Sequence, residues 1–299
     1  MKNNYDFNSS RSTWVFLSPW LITLALFWLF PLVYSLILSF TNYSLGTKSM
    51  DFVGISNYIN LFSDPKFLAA LKNTFVFVIG TIPFTTVFSL LLALLVNRKI
   101  KLAVFFRSAY FLPSLVSLVV MSLIFTSLYQ KGGYLEMLFS LTGLPTPERG
   151  FLLSESTALF SIMFMDIWIA SGYYMLIFLA GLKSIPDELY EAAELDGANK
   201  FQQFWRITLP ALRPTALYIV LINTIKSFQV FIEIYIMSND SGGPNNATTT
   251  LVYYIYDIGL RGVFSMGSAS AAAYILFFII MIIALIQLKL FGYGKATYE

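Results

Sequence analysis

Six apolar runs leave this chain few ways to fold. They cover about residues 14–40, 74–96, 108–128, 157–182, 215–237 and 269–288. Each approaches or exceeds the ~20 apolar residues that cross ~30 Å of hydrocarbon. In lipid the backbone must satisfy its own N–H and C=O groups, so such runs are expected as helices. The chain is 57% hydrophobic and 12% charged, about half the charge of a soluble domain. The expectation is an all-α membrane protein of six transmembrane helices, with a short segment at 1–13 and a membrane domain at 14–299. Pro19, Pro31, Pro83 and Pro113 fall inside the runs and predict bent, bundled helices. The first run is too long for a signal-peptide core, so no cleavable signal is expected.

Composition removes several classes of chemistry. There is no cysteine and no histidine, which excludes disulfides, thiol or imidazole catalysis, and zinc or haem sites built on those residues. No GxxxxGK[ST] stretch is present, so the chain has no loop of that kind to cradle nucleotide phosphates. The net charge of +3 is not gathered into a nucleic-acid surface, and no nucleic-acid partner is expected.

Lys and Arg set an orientation. With the N-terminus inside, the inner segments hold Lys2, Arg11, Arg98, Lys99, Lys101, Arg107, Lys183, Lys200, Arg206, Arg213, Lys289 and Lys295. The outer segments hold Lys48, Lys66, Lys72, Lys131, Arg149 and Arg261. Twelve against six predicts both termini in the cytoplasm of a bacterial or archaeal cell, in a multi-pass protein of its cytoplasmic membrane. Trp14 and Trp20 are expected near an interface, whereas Trp28 is expected to pack. Outside, an amphipathic piece is predicted at 67–71. After the Gly242-Gly243-Pro244 turn, the Tyr-rich run 251–260 reads as a surface helix, a groove filler or an ordinary loop.

The loop at 185–214 is a charged island between the fourth and fifth spans. Pro186, Asp187 and Glu188 suit a helix start. Leu189, Ala192, Ala193 and Asp196 then share one side, and the two alanines let another body approach the backbone. Gly197 can end the helix with φ > 0. Phe201, Phe204 and Trp205 are expected in a second helix. Taken alone, these residues fit either a helix resting on lipid or a docking surface.

The order Glu191-Ala192-Ala193, three residues, Gly197, nine residues, Ile207-Thr208-Leu209-Pro210 resembles the EAA loop of ABC-importer permeases. Gly54, Asn57-Tyr58, Phe62, Asn73-Thr74, the run Ser227 to Phe231, Gly242 to Pro244, Thr250 and Gly267 to Ala271 resemble the carbohydrate-uptake group of those permeases. That group includes the larger maltose-transporter subunit and glycerol-phosphate permeases. The chain lacks that subunit's extra N-terminal helices and large outer domain, and it carries an insertion at Asn239-Asp240. The resemblance implies a type I importer fold with a cytoplasmic coupling helix. Glu191, Ala192, Ala193, Asp196, Gly197, Ile207, Leu209 and Pro210 would then meet an ATPase or link the loop to the membrane. It further implies a second, different permease chain, two ATPase subunits that hold the ATP and Mg, an extracytoplasmic solute-binding protein and a sugar substrate. No cofactor is expected on this chain itself.

Asp166, Lys226 and Glu233 fall inside spans, where a charge costs about 2.5–3.5 kcal/mol on insertion scales. Asp166, Ala170 and Tyr173 share one helical face, and Lys226, Gln229, Val230 and Glu233, with Asn223, share another. The resemblance implies sugar contacts from Tyr173, Asn223, Lys226, Ser227 and Val230. Three readings of Lys226 stay open: an ion pair with Asp166 or Glu233, a sugar contact, or a contact to an anionic substrate such as a uronate or glycerol phosphate. An ion-coupled secondary transporter is the rival to the ATP-driven sugar importer. It would use the same three residues as proton carriers, although no internal repeat is evident.

Overall fold

The computed structural model describes residues 9–46, 49–98, 102–262 and 264–291. Residues 1–8 of the expected N-terminal segment lie outside them, as do Lys2, Lys48, Lys99, Lys101 and Lys295 of the orientation argument. Among the described residues, four helices are long and apolar enough to cross a membrane. Two bent helix pairs would bring the total to six crossings.

In chain order, α1 (Ser9–Leu24) and α2 (Phe30–Ser39) join through one π-helical turn, Ala25–Leu29. Pro31 follows that turn, where its ring would crowd the carbonyl four residues back in a regular helix. The short α3 (Ser56–Ser63) leads to α4 (Pro65–Asn97). Pro65 occupies the first turn, and the Asp64 carboxylate accepts from the Lys66 N–H at 2.8 Å, so the helix starts well before the predicted 74. The amphipathic piece at 67–71 is therefore the opening of this span. Pro83 lies inside it without breaking it.

The stretch expected at 108–128 is not a single helix: α5 (Ala103–Leu115) and α6 (Leu118–Tyr129) meet at 96°, the geometry of a broken span or a re-entrant loop. Val116 at the joint is extended, and Pro113 removes a ladder N–H three residues earlier. Then come α7 (Tyr134–Thr142) and the fourth crossing α8 (Ala158–Lys183). The loop expected at 185–214 contains α9 (Asp187–Leu195), α10 (Lys200–Gln203), a π-helical turn at Phe204–Thr208, and α11 (Leu209–Ala211). The segment Lys200–Ala211 meets the fifth crossing α12 (Arg213–Phe228) at 61°. The helix stops at Phe228 and resumes as α13 (Ile232–Met237). The expected stripe from Lys226 to Glu233 therefore does not continue on one helix. Finally, α14 (Leu251–Tyr256) precedes α15 (Met266–Leu290), the sixth crossing.

The chain divides into two compact units, residues 9–61 with 255–274 and residues 62–254 with 275–291. In the first, the Asn57 amide donates to the Ser39 and Thr41 carbonyls, both at 2.8 Å, and the Tyr58 hydroxyl donates to Ser39 Oγ. The Asn57-Tyr58 pair singled out in the sequence thus ties α3 to the end of α2. Most of the first span's side chains face outward from this chain, and Trp28, expected to pack, is 70% exposed.

The second unit is organised by α4 packed along α8. The buried side of α4 sets small and weakly polar residues, Thr74, Thr81, Thr85, Ser89 and Ala93, among larger apolar ones such as Phe77 and Val78. Small residues let membrane helices approach closely, where lipid supplies no hydrophobic drive between them. Thr74, Thr81 and Ser89 return their hydroxyls to the carbonyl four residues back, so these groups cost little to bury. At one end of the core lie Phe77, Phe125, Ile162, Met165 and Ile234. At the other lie Val96, Met175, Phe178, Leu182 and Leu212.

Candidate functional site

A cavity of about 600 Å³ opens in the second unit where the two broken crossings meet. Val116 and Leu118 line it from the joint of α5 and α6. Gln229, Val230 and Phe231 line it from the gap between α12 and α13. Asp166, Ala170 and Tyr173 enter from α8, and Asn223, Lys226 and Ser227 from α12. Glu233 arrives from the first turn of α13. All seven residues singled out in the sequence, Asp166, Tyr173, Asn223, Lys226, Ser227, Val230 and Glu233, therefore border one space. Glu233 does so because the helix breaks, not through the helical stripe.

Tyr173 stands against the ring of Tyr174 edge-on, with centroids 5.2 Å apart. The Lys226 ammonium lies over the Tyr173 ring, 5.1 Å from its centroid. Among the described residues no ion pair joins Lys226 to Asp166 or Glu233, although all three share the cavity. Asn223 is 2% exposed, and its amide nitrogen has no hydrogen-bond partner. Ser227 Oγ lies 3.2 Å from Thr81 Oγ1. Such a wall offers an aromatic face, an ammonium, an unmet amide donor, a hydroxyl and two carboxyl groups around a largely apolar space.

Val230 has a further constraint that the sequence did not reveal. Its carbonyl, freed by the break, accepts from the Thr250 hydroxyl at 3.0 Å. Asn73 donates to the carbonyls of Asn246 and Thr249, and Leu251 N–H donates to Thr74 Oγ1. The segment after the Gly242-Gly243-Pro244 turn is thereby pinned to α4 and to the cavity wall. Leu251, Tyr253 and Tyr254 are buried, so the Tyr-rich run begins as a core filler.

The loop at 185–214 forms a second candidate surface. Glu191, Ala192, Asp196 and Gly197 are exposed, and Ala193 is half-buried. Gly197 has φ +78°, and an added Cβ there would meet nothing within 4 Å. Asn199 and Gln202 form a reciprocal capping box at the next helix. Lys200 pairs with Glu194 across the turn, and that hydrogen bond, with the ammonium charge, holds the Glu194 carboxyl below its ordinary range. Leu195 is 90% exposed, and Phe201 and Trp205 are also exposed. Pro186 precedes α9 as its extended N-cap. Beneath this surface, Ile185 and Leu212 are buried in the core of α8 and α12, with Tyr190 and Ile207 packed against it. The Tyr190 hydroxyl and Thr208 Oγ1 are 2.8 Å apart. Ile207 thus belongs to the anchor and not to the exposed face, while Pro210 is exposed and Leu209 half-buried.

The profile of the binding-protein-dependent transport system inner membrane component family matches residues 73–291. The probable ABC transporter permease protein YurN of Bacillus subtilis (strain 168) is 35% identical, over 94% of this chain and 96% of its own. The lactose transport system permease protein LacF of Rhizobium radiobacter is 32% identical, over 96% of this chain and 95% of its own. A crystal structure of a bacterial ABC transporter involved in import of the acidic polysaccharide alginate contains a chain with the same fold. It has a TM-score of 0.81 at 24% identity, covering 93% of this chain and 94% of that one. The family match spans the cavity and the loop alike, and this membrane chain belongs to the binding-protein-dependent transport system inner membrane component family.

Proposed function

We propose that this chain forms half of the translocation path of an ATP-driven sugar importer, with the cavity at Tyr173 as the sugar site. The observation that carries the reading is one cavity that gathers the Tyr173 ring, the Lys226 ammonium over it and the unpartnered Asn223 amide. A sugar ring has an apolar C–H face for an aromatic side chain and hydroxyls for amide, hydroxyl and ammonium groups. LacF and the arabinooligosaccharide permease AraP of Bacillus subtilis (35% identical over 97% of this chain) support a sugar by their names.

Energy enters at the loop 185–214, which lies in the cytoplasm when both termini do. One ATPase subunit docks on Glu191, Ala192, Ala193, Asp196 and Gly197 of this chain, a second docks on the other permease, and the two close on ATP. The motion passes through Tyr190, Ile207 and Leu212 into α8 and α12, the helices that carry Tyr173 and Lys226. The second permease, a different chain, completes the path. The solute-binding protein delivers sugar to the outer segments, including the one pinned at Val230. Coupling of this kind requires the loop to make different contacts in the two states.

The test is uptake into vesicles holding the chain with its permease, ATPase and binding-protein partners. Uptake of neutral oligosaccharides is expected with internal ATP and the binding protein, and none with an imposed proton or sodium gradient alone. Gradient-driven uptake without ATP would establish the ion-coupled reading in its place. In the same vesicles, Lys226→Met is expected to leave assembly intact and to weaken uptake about tenfold, the equivalent of one hydrogen bond of ~1.4 kcal/mol. Normal uptake by an assembled Lys226→Met complex would remove Lys226 from the site.

A further inference from the structure

The short helix α7 divides into three sectors, which is one more than a helix lying on its own protein requires. At about 100° per residue, Leu135 and Phe139 fall on one side, and both pack against the core at the ends of α6 and α8. The Phe139 ring meets that of Phe151 edge-on, with centroids 5.3 Å apart. Glu136 and Ser140 fall on a second, polar side, where the Glu136 carboxylate accepts from the Gly132 N–H. Tyr134, Met137, Leu138 and Leu141 form the third side, at spacings of three and four residues. Their exposures are 79%, 62%, 59% and 77%. A helix with protein on one side and water on another has no use for this face unless a third, apolar medium covers it.

We propose that α7 is an interfacial helix whose Tyr134–Met137–Leu138–Leu141 face is sunk into the bilayer surface. Its place in the chain puts it there. It begins five residues after the last residue of α6, and the chain then returns to α8, so it is tethered to two span ends on one side of the membrane. The helices on either side of it also carry exposed apolar residues, Leu123 and Ile124 on α6 and Phe160 and Phe164 on α8, as helices beside lipid do. Lys131 and Arg149 flank the helix and are exposed, suited to lipid phosphates, while an exposed Tyr at one end suits the headgroup level. The inference uses the chain's membrane character and not its sugar site. It therefore stands or falls separately from the transport reading.

The chain has no cysteine, so single labels can be placed without further changes. Leu138→Cys, Leu141→Cys and Ser140→Cys would be made in the full chain assembled with its partner subunits. Each would carry an environment-sensitive fluorophore, in vesicles of phosphatidylethanolamine and phosphatidylglycerol with nitroxide-labelled lipid. Nitroxide lipid is expected to quench the labels at 138 and 141 several-fold more than the label at 140, and aqueous iodide is expected to do the reverse. Iodide quenching at 138 and 141 equal to that at 140 would overturn the proposal. So would labels at 138 and 141 shielded from both quenchers, which would mean that another subunit or the binding protein covers the face.

Discussion

Gly172→Leu is expected to yield no assembled transporter, and Gly172→Ala a protein that melts several degrees lower in detergent. A Cβ added at Gly172 would lie 1.9 Å from the Tyr110 carbonyl oxygen and 2.9 Å from its carbonyl carbon. Both are backbone atoms of α5, so no rotamer change relieves the clash. The helices α5 and α8 would have to separate, and overpacking of a well-packed contact costs about 1–3 kcal/mol even for small groups. The separation would also displace Tyr173, the next residue, from the cavity wall. The measurement is a thermal melt of the purified chain beside its yield in membranes. An unchanged melting temperature for Gly172→Ala would show that the α5–α8 contact is not tight.

Gly197→Leu is expected to fail for a different reason. Gly197 holds φ +78° in open space, so a leucine would clash with nothing in its own chain. It would strain the backbone by roughly 1–2 kcal/mol, since left-handed geometry disfavours a Cβ. The surrounding turn has its own supports in the Asn199 capping box and the Glu194–Lys200 pair, so the fold is expected to survive. What changes is the surface an ATPase would meet. Uptake is expected to fall at least tenfold while the chain still inserts and binds its partner permease. Gly197→Asn separates the two causes, because Asn tolerates left-handed geometry but still adds bulk. If shape at the docking surface matters, Asn is impaired as well. Retained uptake with leucine at this position would sink the coupling argument.

The spans and the loop were legible in the sequence because lipid imposes a length and an apolarity that soluble folds do not. The turn at Gly197 was legible for a local reason, since glycine at the end of a short helix foretells left-handed geometry. The breaks were harder to see. Pro113 foretold a bend in the third crossing, but not the 96° between α5 and α6. Nothing between Ser227 and Glu233 foretold the end of α12 at Phe228, because that stretch contains neither Pro nor Gly. The break is supported from elsewhere in the chain, by Thr250 reaching the Val230 carbonyl. Tertiary partners of that kind leave no periodic signal. Asp166, Lys226 and Glu233 were nonetheless identified, because ionisable groups in a span stand out whatever the backbone does around them, whereas Tyr173, Asn223, Ser227 and Val230 were named as sugar contacts only through the family resemblance.

The central claim is that the Tyr173 cavity carries the sugar while the loop 185–214 carries the work. Uptake and ATP hydrolysis measured together on Tyr173→Ala and Asn223→Ala complexes test it most directly. The account predicts that ATP hydrolysis still responds to the solute-binding protein while uptake of neutral oligosaccharide falls at least tenfold. Uptake at the level of the unaltered complex in both variants would contradict it.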